Sequence, residues 1–108
     1  MPARQQIENL RERIIKNFVD VIILRRLEKD CSTGYDIILA IQKKFNILTN
    51  SRKIYSTLDS LEKKGLIKSE QTLRKKSYRL TKNGEQAIQS LRQENGDIQN
   101  ILKNTLIF

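Results

Sequence analysis

The sequence has no histidine and no tryptophan, a single cysteine, and no segment rich in proline, glycine or serine. Without histidine the chain lacks the ligand sets of a structural zinc site and the usual general base of acid–base catalysis. Cys31 has no second cysteine for an intramolecular disulfide and no histidine to activate it as a nucleophile. The four glycines, at 34, 65, 84 and 96, stand alone, so no phosphate loop or dinucleotide fingerprint is present. The longest apolar run, residues 18–24, is broken by Asp20 and falls far short of the roughly 20 residues that cross a bilayer. The basic start lacks the apolar region and cleavage site of a signal peptide. These absences predict a cytoplasmic protein that is not an enzyme, holds no metal or cofactor and does not enter a membrane.

Acidic residues are also scarce. The 108 residues, enough for one domain and one core, carry 21 Lys and Arg against 12 Asp and Glu, a net charge of +9. The excess is uneven: residues 1–50 hold 9 basic and 6 acidic side chains, residues 51–82 hold 10 and 3, and residues 83–108 hold 2 and 3. A concentrated block of charge points to a polyanionic partner. With no strongly amphipathic basic helix beside it, nucleic acid is favoured over a membrane surface.

From residue 5 to about residue 29 there is neither Gly nor Pro. Ile7, Leu10, Ile14, Phe18, Val21 and Ile22 recur there every three or four residues, which predicts one amphipathic helix or two abutting ones. The second half, "FVDVIILRRL", is apolar on more than one side and is expected to be the most buried part of the molecule. "DCSTGYDI" then supplies the turn and cap residues Asp30, Ser32 and Thr33, with Gly34 permitting a close approach before Tyr35. A helix over residues 35–45 turns Ile37, Ile38, Ile41 and Phe45 inward. After a turn offering Thr49, Asn50 and Ser51 as caps, another helix starts near Ser51 and ends at "KKG", where Gly65 suits the left-handed residue beyond a helix end. Residues 66–71 and 76–81 read as two strands, and Thr81 caps a last helix with Glu85 in its first turn. The order predicts a mainly α protein with a small β-hairpin, a winged helix-turn-helix. Residues 1–82 would form the winged-helix unit with an N-terminal helix extension, and residues 83–108 a C-terminal dimerisation helix of the same domain.

In "SRKIYSTLDSLEKKG", Ile54, Leu58 and Leu61 make a buried stripe, and at about 100° per residue the opposite face carries Arg52, Ser56, Asp59 and Lys63. Lys53 and Ser60 lie beside it and Tyr55 on a flank, and Ser51, Arg52, Lys53, Tyr55, Ser56 and Lys63 are the expected contacts. Small hydroxyls among long cations suit a major groove, although a solvated helix face would look similar. Arg52 and Lys53 stand in the first turn, where the macrodipole disfavours cations by roughly 0.3 to 1 kcal/mol each, and a phosphate at that turn would reverse the penalty. Arg74, Lys75 and Lys76, with Arg79 nearby, crowd the hairpin tip. Edge protection would need only one or two spread charges, so the cluster suggests backbone or minor-groove contact by a loose tip.

The last helix differs in character. Ile88, Leu91, Ile98 and Leu102 fit a and d positions of a heptad with Asn95 at an intervening a position, and Ile7, Leu10 and Ile14 of the first helix extend the apolar surface. A second copy of the chain is the simplest cover for it. "ENGD" offers the competing reading, in which one helix stops and another starts at Asn95-Gly96.

Three fragments in order resemble the PadR-like transcriptional regulators: "GYDIILAIQKKF" (residues 34–45), "IYSTLDSLEKKGLI" (54–67) and "YRLTKNG" (78–84). The resemblance covers roughly residues 18–92. It implies a homodimeric repressor that occupies operator DNA and, in some members, is released by a small molecule near the dimer interface. The chain departs from the family pattern in having Arg52 and Lys53 where small residues are common, and in lacking the tryptophan that some small members use for flat aromatic ligands. The expected function is therefore sequence-specific regulation of transcription by a homodimer on double-stranded DNA, with an effector left unassigned. An architectural DNA binder and a winged-helix protein-docking module are the alternatives.

Overall fold

The computed structural model describes residues 2–46 and 50–93. The long run without Gly or Pro forms two helices, α1 (Pro2–Asn17) and α2 (Val19–Lys29), meeting at Phe18, whose φ of −108° and ψ of 15° interrupt the helical geometry. The buried line runs through Ile15, Val19, Ile23 and Leu27, beside the stripe expected from Ile7 to Ile22. Ile7, Leu10 and Phe18 are exposed, and α2 instead buries Val19, Ile23, Leu24 and Leu27.

α3 (Gly34–Phe45) begins at Thr33, whose Oγ1 accepts from the Asp36 backbone N–H at 3.1 Å. It ends at Asn46 in the left-handed region, a conformation that asparagine tolerates. α4 (Ser51–Lys63) takes Asn50 as its cap, with Asn50 Oδ1 accepting from the Arg52 N–H at 2.9 Å. Its end is a Schellman motif: the Leu66 N–H donates to Leu61 O and the Gly65 N–H to Glu62 O, with Gly65 at φ +77°.

The hairpin is built from β2 (Ile67–Gln71) and β3 (Lys76–Leu80), in register from Ile67 opposite Leu80 to Gln71 opposite Lys76. Ser32 and Thr33, expected as turn and cap residues, also add a two-residue strand β1 on the far side of β3, giving the antiparallel order β1-β3-β2. A strand this short has no alternation of its own; its partner defines it. α5 (Lys82–Gln93) follows.

The core joins Val19, Ile23, Leu24 and Leu27 of α2 to Ile37, Ile38 and Ile41 of α3, Ile54, Leu58 and Leu61 of α4, and Ile67, Tyr78 and Ile88. At the base of the hairpin the polar backbone is locked. The Thr81 N–H donates to Leu66 O at 3.1 Å and its hydroxyl to Gly65 O at 2.6 Å, while Thr81 Oγ1 accepts from the Gly84 N–H at 3.1 Å. Gly84 is packed so closely that a Cβ would lie 2.1 Å from Leu66 O. In the last turn of α4, the Glu62 carboxylate accepts from the Ser69 hydroxyl at 2.6 Å and the Ser69 N–H at 3.0 Å, tying the helix to β2.

Two consequences are measurable. Gly84→Ala should cost about 1 to 3 kcal/mol through overpacking against backbone that cannot retreat, seen as a lower urea midpoint at unchanged m-value. The Ser69 hydroxyl and N–H, aided by Lys76, hold the Glu62 carboxyl below its ordinary value of 4.5, against the opposing effects of burial and Asp59. A carboxylate depressed in the folded state stabilises at pH above its unfolded value, and that contribution is lost as pH falls through the folded one. Glu62→Gln should therefore lower stability at neutral pH and flatten the acid limb of a stability–pH profile.

Candidate nucleic-acid interface

With Ile54, Leu58 and Leu61 buried, α4 leaves Ser51, Arg52, Lys53, Ser56 and Lys63 exposed. Its first turn contains no acidic residue, and the Arg52 N–H is already accepted by Asn50. Lys63 Nζ lies 3.3 Å from Asp59 Oδ2, one turn earlier on the same exposed face. Open to solvent, such a pair contributes little to stability and leaves Lys63 able to exchange partners.

Tyr55 occupies the flank nearer the hairpin. Its ring lies over Gly34, where a Cβ would stand 2.4 Å from Cε1, and about half of the residue remains exposed. The ring thus serves as a spacer between α3 and α4 as well as a surface group. The absent side chain at Gly34 is what lets the two helices approach there.

The hairpin tip is more ordered than the lack of a tight-turn dipeptide suggested. The Thr72 N–H donates to Lys75 O at 2.8 Å and its hydroxyl to the same oxygen at 3.3 Å, closing residues 72–75 into a turn. Leu73, Arg74 and Lys75 project from it, Leu73 fully exposed. The period-two alternation of β3 then separates the remaining cations. Lys76 shares the side of Tyr78, with its Nζ 5.7 Å from the ring centroid, whereas Arg79 faces the other way, opposite Lys68 of β2. Of the four cations expected together, Arg74, Lys75 and Lys76 line one cleft and Arg79 alone faces away.

Arg74, Lys75 and Lys76 face Thr33, Gly34, Tyr35 and Asp36 at the start of α3, and Tyr55 of α4, across a cleft of about 390 Å³. Tyr35 and Thr33 belong to this surface and escaped the sequence reading; the signal was the position of Tyr35 directly after Gly34. Sequence separation hides such neighbours, since about 40 residues of chain join them. Among the described residues no group of His, Cys, Asp or Glu could hold a metal ion. The arrangement offers cations, hydroxyls and aromatic rings on one side of the molecule, a chemistry of anion contact.

The residues expected to dimerise fare unevenly. Ile7 and Leu10 are exposed and Ile14 is half-buried. Ile88, by contrast, is 2% exposed in the core of its own chain, with Leu91 packed against that core, because α5 must cover the hairpin base and α2. Ile88 is therefore not a free interface residue. Arg92 pairs with Glu28 of α2. Asn95, Ile98 and Leu102 lie outside the described residues.

Comparison with known proteins gives this geometry a context. A search of curated proteins returned no match. A transcriptional regulator from Clostridium thermocellum is 28% identical over 88% of this chain and 95% of its own, with a TM-score of 0.74. A PadR family transcription regulator from Clostridium difficile is 27% identical over 82% of this chain and 98% of its own, with a TM-score of 0.72. Bacillus subtilis PadR in complex with operator DNA is 28% identical over 66% of this chain but 44% of its own, with a TM-score of 0.61. The family model for PadR-like transcriptional regulators matches residues 23–90, which takes in α3, α4, the hairpin and most of α5. A winged helix with these motifs at these positions belongs to the PadR-like family of transcriptional regulators.

Proposed function

We infer that the chain is a sequence-specific, DNA-binding repressor acting as a homodimer, with the exposed face of α4 in the major groove and the tip at residues 72–75 on the flanking backbone or minor groove. The observation that carries this reading is the joint presentation of Arg52, Lys53 and Ser56 on α4 and Arg74 and Lys75 on the tip, bridged by Tyr55. Operator DNA bound to the Bacillus subtilis relative supports the same use of the fold. Winged-helix residues 1–82 and a C-terminal helix over residues 83–108 are the proposed division of labour. The exposed Ile7 and Leu10 of α1 favour a second copy as the partner. Two copies related by a two-fold axis would read half-sites about 34 Å apart, one turn of B-DNA.

If a dimer neutralises on the order of 6 to 10 phosphates, log K should fall against log salt with a slope near −5 to −9. Fluorescence anisotropy across a salt series checks this, and a flat response would reject DNA binding. Arg74→Ala with Lys75→Ala should weaken binding to every duplex alike, whereas Arg52→Ala or Ser56→Ala should also alter the ranking of sequences. Survival of binding in excess random duplex separates a specific regulator from an architectural protein. Unchanged activity in the tip variant would favour a protein-docking module.

A further inference from the structure

α4 has two flanks, and only one faces the hairpin. At about 100° per residue, Tyr55 and Glu62 lie on the hairpin side, and Lys53, Ser60 and Lys64 on the other. That other flank is occupied by the end of α1. Ile15 (8% exposed) and Val19 (4%) dock the α1–α2 junction on the core, which holds Lys16 and Asn17 beside α4 with both exposed. Between them runs a cleft of about 310 Å³, lined by Lys16, Asn17, Lys53, Ser56, Ser60 and Lys64 among others. Asp20 is its one carboxylate among the described residues, and Asp20 Oδ1 accepts from the Val21 N–H at 2.8 Å. Three ammonium groups against one carboxylate, with hydroxyl and amide donors between, form a setting for a phosphate oxygen.

We propose that the cleft between the last turn of α1 and the far flank of α4 seats a backbone phosphate of the bound duplex, with Lys16 and Lys64 as its principal cations. It rests on the DNA-binding reading above and extends it. The recognition helix is then gripped on both sides, by the hairpin tip on one and by α1 on the other. Lys16 and Asn17 lie outside residues 23–90 that match the family model, so the second grip draws on the N-terminal helix as well as on the winged helix. The ligand chemistry is a phosphate oxygen, which a nucleic acid backbone or a free phosphate would each supply. The placement beside Ser56 and Lys53, on the exposed face of α4, favours the backbone.

Lys16→Gln and Lys64→Gln, singly and together, test it by anisotropy over a salt series, on a duplex ending at the half-sites and on one extended outward by several base pairs. The expected result is uniform weakening across sequences and a salt slope shallower by about 1 for each phosphate no longer neutralised. The variants should also forgo the extra affinity that the extended duplex gives the parent protein. Inorganic phosphate titrated without DNA at low ionic strength, followed by calorimetry, is expected to show no saturable binding to the parent or to the variants. Phosphate binding to the parent that the variants lose, together with a DNA salt slope the variants keep, would assign the cleft to free phosphate and overturn the backbone assignment. If the tip variant Arg74→Ala with Lys75→Ala loses affinity while both lysine variants keep the parental slope, the second grip is wrong and the DNA-binding reading stands. If the parent protein itself shows no salt-dependent binding, the DNA-binding reading fails first and the second grip with it.

Discussion

Everything that presents α4 to a partner depends on one small knot of backbone hydrogen bonds. Gly65 and Leu66 leave the end of α4, and Thr81 to Gly84 lead into α5; the two segments are held by Thr81 through its N–H, its hydroxyl and its oxygen. These are buried or half-buried groups, so each bond left unmade would cost its full desolvation. The knot fixes three things at once: the exit of α4, the root of the hairpin and the start of α5. Glu62, through Ser69, adds a second tie from α4 to the hairpin. Helix and hairpin are therefore tied at a corner that fixes their mutual angle, the angle on which the proposed use of both elements against one ligand depends.

The electrostatics run against local helix stability and with ligand binding. α4 begins without an acidic residue and with two cations, where its dipole would prefer the reverse. The cost is modest because both side chains reach into water. The acidic groups nearby are engaged: Asp59 pairs with Lys63, and Glu62 is turned to Ser69. The exposed face is left with a surplus of positive charge and few competing carboxylates, which suits a polyanion approached through water.

Much of this was legible in the sequence where a local rule coincided with a tertiary need. Thr33, Asn50, Gly65 and Thr81 announce helix ends by their own chemistry, and the stripes of α3 and α4 match the buried residues because each of those helices is uninterrupted. The break at Phe18 was harder to read. No Gly or Pro marks it, and the buried line through Ile15, Val19, Ile23 and Leu27 lies beside the stripe drawn through Ile7, Leu10, Ile14 and Phe18, so two neighbouring apolar spacings competed in the sequence. Ile88 was misplaced for a related reason: a heptad pattern cannot say whether its apolar edge meets a partner or the chain's own core. β1 and the Tyr35 side of the cleft arise between segments distant in sequence, where periodicity carries no signal. In the hairpin, a run of adjacent cations reads as one patch until strand alternation sends Lys76 and Arg79 to opposite faces.

The two-residue β1 has a mechanical effect out of proportion to its length. By pairing Ser32 with Tyr78 and Thr33 with Ser77, it makes β3 the middle strand at those two residues, while from Lys76 to the tip β3 has only β2 beside it. The hairpin is thus a beam braced on both edges at Ser77 and Tyr78 and supported on one edge toward residues 72–75. Its bending compliance should be graded along its length: stiff where Tyr78 enters the core, yielding where Arg74 and Lys75 are carried. A beam of that kind can adjust its end to the uneven contour of a groove while its anchorage, and with it the aim of α4, stays fixed.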